Sequence, residues 1–401
     1  MNFFKKAYCR TYQAIFRLAL PLLPYKDPQV LKDEVEIVTV LQQAQISRVL
    51  LVTTKGLFTR GLCSSLIKTL NKNNITVIIY SDTVPNPTTD NVEAALQLYQ
   101  QQNCQGLIAF GGGSAMDCAK AVGARVANPN KTLVQMKGIL KVHKKIPTLI
   151  AVPTTAGTGS ETTLAAVITD SKTRLKYAIN DFPLIPSYAL LDAKLTVGLP
   201  PDITANTGMD ALTHAVEAYI GQSTTKQTRE CALNATKLIF ENLLTAYKYG
   251  DNMQARENML VASFNAGKAF SKSYVGYVHA IAHSLGGKYN VAHGFANAVI
   301  LPYVLKKYGK TIYKKLWQMG VYAKLFDKTL SYENGAKLFI SKIEELNKQM
   351  NIDNHIDQIQ EQDIPTLAQR AEKEANPLYP VPKLLTAKQL EEIYLEVKNG
   401  K

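Results

Sequence analysis

Between residues 38 and 195 the apolar positions gather into short continuous runs: RVLLVT at 48–53, ITVIIY at 75–80, GLIAF at 106–110 and PTLIAV at 147–152. Runs of this length predict strands buried on both faces of a sheet. Between them, 61–70, 91–102 and 114–127 carry apolar residues at three-to-four spacing and predict helices. Strands alternating with helices predict a parallel sheet wrapped on both faces. Two further runs, 163–169 and 175–179, flank the polar DSKTR and predict a hairpin attached to that sheet. Beyond Pro200 and Pro201 strand-like runs become scarce. Segments 204–220, 228–249, 253–270 and 278–285 all have helical spacing, and the tail to 401 reads mostly helical. The pattern predicts an N-terminal extension over 1–30, an α/β domain over 31–200 and an all-helical domain over 201–401.

Residues 1–10 are basic and 11–24 largely apolar, an outline shared with secretory signals. Arg17 interrupts the apolar run, Pro21 and Pro24 break it, and no small-x-small cleavage site follows. The run is also shorter than the ~20 apolar residues that a spanning helix needs. The segment reads as a helix docked on the rest of the chain, with a helix lying on a membrane surface as the alternative.

Composition changes this picture little. With 46% hydrophobic and 19% charged residues, the chain is not of the disordered class. Five scattered cysteines without a Cys-x-x-Cys pair indicate neither a disulfide framework nor a zinc ribbon, and a cytoplasmic location fits. The net charge of +14 could draw nucleic acid or membranes. The basic residues are nevertheless spread out, and no run is interleaved with aromatics as in a nucleic-acid module. A non-enzymatic nucleic-acid or membrane-surface protein therefore rests on charge alone, and no nucleic-acid partner is expected.

Two loops carry candidate binding chemistry. Gly111-Gly112-Gly113-Ser114 follows the run 106–110 and opens the helix 114–127. Glycines there let backbone approach a phosphate, the helix N-terminus offers unpaired N–H groups, and Ser114 is placed to cap the helix. The sequence is not a GxGxxG fingerprint, and a tight turn is the competing reading. A second loop, PTTAGTGSE at 153–161, puts hydroxyls and glycines where ligands bind in doubly wound sheets.

The helical half carries four of the six histidines within eighty residues. Asp210 and His214 stand at i and i+4, so one helix face presents both. His279 and His283 repeat that spacing, and His293 follows after a glycine-containing turn over 286–292. A carboxylate with three imidazoles suits a divalent metal and leaves room for a substrate oxygen. Burying so many polar rings in apolar helices without a shared partner would be costly.

Four segments together resemble the iron-containing (group III) alcohol dehydrogenases: GGGSAMDCAK (111–120), PTTAGTGSE (153–161), GMDALTHAVEAY (208–219) and HAIAHSLGGKYNVAHGFANA (279–298). The resemblance spans roughly residues 30–390. It implies a Rossmann-like nucleotide-binding domain followed by an all-α metal-binding domain, an architecture shared with dehydroquinate synthase. The implied activity is hydride transfer between a primary or secondary alcohol, or its aldehyde or ketone, and NAD(P). It implies that Asp210, His214, His279 and His293 hold Fe2+, with Zn2+ as the alternative, while His283 lines the catalytic cleft as a proton relay. It further implies that Gly112, Gly113 and Ser114 hold the pyrophosphate with Asp117 nearby. Thr154, Thr155, Thr158, Thr163 and Lys176 would line the rest of the cofactor site, and Asn86 its far side.

One departure stands out. Many NAD-using relatives carry Asp at the end of the first strand, where this chain reads Thr53-Thr54-Lys55. With Thr54 neutral, NADP(H) is expected, NAD(H) remaining the alternative. Dehydroquinate-synthase-like and glycerol-dehydrogenase-like enzymes are the neighbouring readings, and a homo-oligomer is left open.

Overall fold

Helix α1 (Phe3–Ala19) opens the described part of the chain, residues 3–401 of a computed structural model. It groups with the C-terminal helices: one compact unit is Pro24–Val197, and the other joins Gly198–Lys401 to the segment before Pro24.

The sheet unit runs β1 (Gln29–Leu31), α2 (Glu34–Gln43), β2 (Arg48–Val52), α3 (Lys55–Thr59), α4 (Ser64–Lys72), β3 (Thr76–Tyr80), α5 (Thr89–Gln101), β4 (Gly106–Gly111) and α6 (Gly113–Ala127). It continues through β5 (Gly138–Ile139), β6 (Thr148–Pro153), β7 (Ala165–Thr169), β8 (Lys176–Asn180) and β9 (Tyr188–Leu190). Six strands form a sheet in the order β1-β9-β6-β4-β2-β3, every pair parallel. The period-two alternation of strands divides its apolar residues between two cores. Val49, Leu51, Ile108, Phe110, Ile150 and Val152 pack with Ile37 and Leu41 of α2 and Leu66 and Leu70 of α4. Leu50, Val52, Leu107, Ala109, Leu149 and Ala151 pack with Val92 and Ala95 of α5 and Met116 and Ala119 of α6. Continuous apolar runs are therefore what this sheet requires, and the expected doubly covered parallel sheet is present.

The expected hairpin is the antiparallel pair β7–β8, but it is not attached to the six-stranded sheet: with β5, added in parallel, it forms a separate three-stranded sheet. The helix expected over 61–70 instead starts at Ser64, because Gly61 takes φ +73 in the turn after α3. Ser114 does not cap α6. Gly112 occupies the N-cap, and Ser114 sits in the first turn with its Oγ accepting from the Asn86 N–H. Strands β1 and β9, three residues each, are too short for any periodicity to announce them.

The helical unit contains α7 (Pro201–Ile220), α8 (Lys226–Lys248), α9 (Met253–Ser273), α10 (Tyr277–Tyr289), α11 (His293–Tyr308), α12 (Tyr313–Tyr322), α13 (Tyr332–Gln349), α14 (Ile364–Ala375) and α15 (Ala387–Asn399). Proline at the first position suits the start of α7, since its missing N–H has no intrahelical partner anyway. From Gly208 to Ile220 α7 is buried on every side. Leu243 of α8 presses so closely on Gly208 that a Cβ there would meet it at 2.2 Å. Polar residues inside so enclosed a helix must find partners within the protein. The turn expected over 286–292 shrinks to 290–292: α10 continues through Gly286 and Gly287 to Tyr289. It is Asn290, at φ +56 with its N–H on the Gly286 carbonyl, that ends the helix.

Candidate metal centre and nucleotide loops

Buried α7 carries three polar side chains on successive turns, Asp210, His214 and Glu217. Asp210 Oδ1 lies 3.7 Å from His279 Nε2 of α10 and 3.5 Å from His293 Nε2 at the first position of α11. Ligand atoms of these three residues all fall within 4.8 Å of one another, a set able to hold one ion. His214 is outside that set of three. Its ring stacks on Phe270 (centroids 4.0 Å apart) and on His279 (4.5 Å).

Each member is held from behind. Glu217 Oε2 accepts from His279 Nδ1 at 2.7 Å, which fixes the tautomer and leaves the Nε2 lone pair toward Asp210. The same carboxylate accepts the N–H groups of Gly276 (2.7 Å) and Val278 (2.8 Å) at the start of α10. A Cβ on residue 276 would meet Glu217 Oε1 at 2.6 Å, so glycine is required there. Asn297 Nδ2 donates to Asp210 Oδ1 at 2.7 Å. Gly294 lies against the backbone of α7: a Cβ would fall 2.3 Å from the Asn206 carbonyl oxygen, one turn before Asp210.

The electrostatics fit a cation. His279 Nε2 is buried with no hydrogen-bond partner, an orphaned ring nitrogen aimed into the cluster. Burial alone would raise Asp210, yet His214, His293 and His279 hold it well below the carboxylate range. Against the effect of burial, the flanking carboxylates Asp210 and Glu217 raise His279 to about 9. Burial, together with the neighbouring imidazoles, pushes His293 well below its ordinary value and keeps it a neutral donor. One carboxylate and imidazole nitrogens converging in a buried pocket are a donor set that suits a borderline divalent metal.

His283, one turn beyond His279, is more open, with 41% of its side chain exposed. Its ring stacks on His293, and its Nδ1 donates to Glu374 Oε1 of α14 at 2.6 Å. Glu374 in turn accepts the Tyr379 hydroxyl at 2.8 Å. Burial opposes ionisation of Glu374, but His283 and Tyr379 hold it below its ordinary value.

In the sheet unit the two loops meet at one end of the sheet. From β2 the chain crosses to β3 on one side and then returns to lay β4 on the other, the switch point where doubly wound sheets take ligands. Gly112 lies against Thr155 and Gly113 against Thr158, where a Cβ would come within 3.2 and 3.1 Å. Thr154 is buried, with its N–H on the Gly111 carbonyl. Lys176 Nζ donates to Asn86 Oδ1 at 2.7 Å, and Asn86 reaches Ser114. Asp117 accepts from the Ser160 hydroxyl at 3.0 Å. Thr163 is buried, and its hydroxyl accepts from Lys120 at 2.8 Å. Thr54 stands apart, after β2, with its backbone bridged to exposed Asp82 beyond β3.

Lys120, Glu217, Asn297 and Glu374 were not singled out in the sequence. Fully buried Lys120 gathers the carbonyls of Ser160, Thr163 and Ala165 within 2.6–2.9 Å and so pins the second loop onto α6. Burial lowers it to about 8, against the opposing pull of Asp117 and Glu161. An acid or lysine inside an apolar helix, as in THAVEAY or AMDCAKAV, was a usable signal. Glu374, in the charged run AEKEAN, gave none.

Two family models match the chain. Residues 32–193 match the iron-containing alcohol dehydrogenase model, and 204–397 the C-terminal model of the Fe-containing alcohol dehydrogenase family. The chain belongs to the iron-containing alcohol dehydrogenase family. It is an oxidoreductase acting on CH–OH groups. Among members of this family, the 1,3-propanediol dehydrogenase of Citrobacter freundii is 37% identical over 351 residues, covering 86% of this chain and 90% of that protein. The NAD-dependent methanol dehydrogenase of Bacillus methanolicus is 36% identical, covering 84% and 88%. A crystal structure of 1,3-propanediol oxidoreductase superposes with a TM-score of 0.89 at 34% identity, over 93% of this chain and 99% of the other.

Proposed function

We propose that this dehydrogenase interconverts a small alcohol and its carbonyl compound, with Fe2+ held by Asp210, His214, His279 and His293. The loops after β4 and β6 would hold the nicotinamide dinucleotide. When bound, the iron supplies Lewis acidity toward the substrate oxygen and the nicotinamide takes or gives the hydride. The convergence of Asp210, His279 and His293, with the His279 tautomer set by Glu217, carries this reading. Relatives named for 1,3-propanediol and methanol support small primary alcohols as substrates.

The chain's own residues divide the remaining work. Gly112 and Gly113, with the first N–H groups of α6, would cradle the pyrophosphate. Thr155 and Thr158 back these glycines, and Lys120 fixes the second loop. Glu374 engages His283 Nδ1, which leaves His283 Nε2 to take the alcohol proton and release it to solvent. Neutral Thr54, followed by exposed Lys55, supports acceptance of NADPH, since β2 itself ends in no carboxylate to repel a 2′-phosphate, the acid bridged to Thr54 being Asp82 beyond β3. Among the described residues no helix is long and apolar enough to cross a membrane. A cytoplasmic location and a homo-oligomer are part of the same reading.

The test is an alcohol and aldehyde panel on protein reconstituted anaerobically with Fe2+ or Zn2+, following nicotinamide absorbance with NADPH and NADH. Iron-dependent turnover of short primary alcohols is expected, with higher kcat/KM for NADP(H), shifted toward NAD(H) in Thr54→Asp. Turnover indifferent to metal would overturn the metal assignment. A native preference for NADH that Thr54→Asp does not move would overturn the cofactor assignment.

A further inference from the structure

Helix α1 turns the wrong side outward for a helix that only docks. Phe4, Tyr8, Ile15 and Leu18, followed by Leu22, recur at three-, four- or seven-residue steps and so share one face. That face is open: Phe4 is 81%, Ile15 62%, Leu18 77% and Leu22 87% exposed. The inward face holds polar anchors beside buried Cys9 and half-buried Phe16, whose ring meets Tyr274. Gln13 is buried and its amide donates to the Tyr379 carbonyl, while Arg10 donates to the carbonyls of Val381 and Pro382. An amphipathic helix on a water-soluble surface has the opposite orientation. A contiguous exposed apolar stripe marks an interaction surface.

Charge identifies the occupant. No acid precedes Asp27, whereas Lys5, Lys6, Arg10 and Arg17 all lie on this helix. Lys6 and Arg17 are exposed at its margin. The family match begins only at residue 32, so the family's catalytic framework does not include this helix.

We propose that α1 docks the protein in plane on an anionic lipid bilayer, inserting Phe4, Ile15, Leu18 and Leu22 among the acyl chains while the basic residues of the helix, Lys6 and Arg17 among them, draw it to the anionic surface. Apolar insertion combined with basic residues is the two-signal arrangement that stable surface binding requires. A second copy of the helix carries the same cations and no acid, so charge gives it no attraction to this face.

The experiment is flotation of the full-length protein with phosphatidylcholine vesicles, with and without phosphatidylglycerol. Binding only to the phosphatidylglycerol vesicles, weakened by salt, is expected. Phe4→Glu/Leu18→Glu and, separately, Lys6→Glu/Arg17→Glu should each reduce that binding by on the order of tenfold or more. Melting temperature and kcat/KM should be unchanged in both, because these side chains face solvent. Absence of flotation, or flotation that both variants retain, would overturn the proposal. So would a Phe4→Glu/Leu18→Glu variant that altered only the sedimentation mass in the absence of lipid, assigning the face to a second copy. Capture by an acidic protein with no vesicle binding would overturn it equally.

Discussion

In the sheet unit the groups proposed to meet a ligand belong mostly to the backbone, whereas in the helical unit they are all side chains. The loop after β4 presents N–H groups because Gly112 and Gly113 carry nothing in front of them, and Thr155 and Thr158 fill the space behind. Inside α7 and α10 the backbone is used up by the helices, so Asp210 and His279 must act through side chains that Asn297 and Glu217 hold in place. The first kind of site is damaged by adding atoms and the second by removing them. The two units should therefore fail independently, each losing its own ligand.

The largest effect should follow His279→Ala. Iron content is expected to fall to near zero, and turnover by at least about 1,000-fold, the scale of a lost Lewis-acid contribution of several kcal/mol. Nucleotide binding, followed by fluorescence, should stay within about twofold, since the loops after β4 and β6 belong to the other unit. Full iron occupancy by metal analysis would remove His279 from the ligand set. A parallel loss of nucleotide binding would break the comparison itself.

Gly113→Leu is the mirror experiment. The new side chain must pass through space that Thr158 fills, so the dinucleotide dissociation constant should rise about 100-fold, or ~2.8 kcal/mol. Iron content should not change. Unaltered nucleotide affinity would show that this loop is only a turn.

The smallest effect sharpens the picture within the helical unit. Glu217→Gln keeps an acceptor for the start of α10 but no longer holds a charge against His279 Nδ1–H. Iron affinity is expected to fall by about 10- to 100-fold, as when other carboxylates supporting metal-bound histidines are replaced. A melting curve of the metal-free protein separates this from simple loss of structure. Unchanged affinity alongside a lowered melting temperature would reduce Glu217 to a capping residue.

The two regions also differed in how far the sequence revealed them. Strand runs such as RVLLVT and GLIAF were plain because a strand covered on both faces leaves no polar positions to interrupt the pattern. The paired i, i+4 spacings of Asp210 with His214 and of His279 with His283 placed candidate ligands on helix faces directly. Glu374 was hidden, because its pairing with His283 spans 91 residues and depends on how α14 packs on α10. The continuation of α10 through two glycines was hidden too. Composition argued for a turn, and tertiary packing overrode a cost of about 1 kcal/mol per glycine. The role of Lys120 also depends on a contact between segments distant in sequence, and no local spacing encodes it.

Gly294 has a consequence for which ions the centre admits. Because residue 294 touches the Asn206 carbonyl with no side chain between them, one backbone resting on another sets how closely His293 can approach Asp210. The centre works like a caliper with a stop at its lower end. It cannot close in on a smaller ion, so that limit comes from main-chain contact rather than from the ligands' own chemistry. Among ions of similar radius nothing in that width chooses, and cellular supply decides which one is taken up.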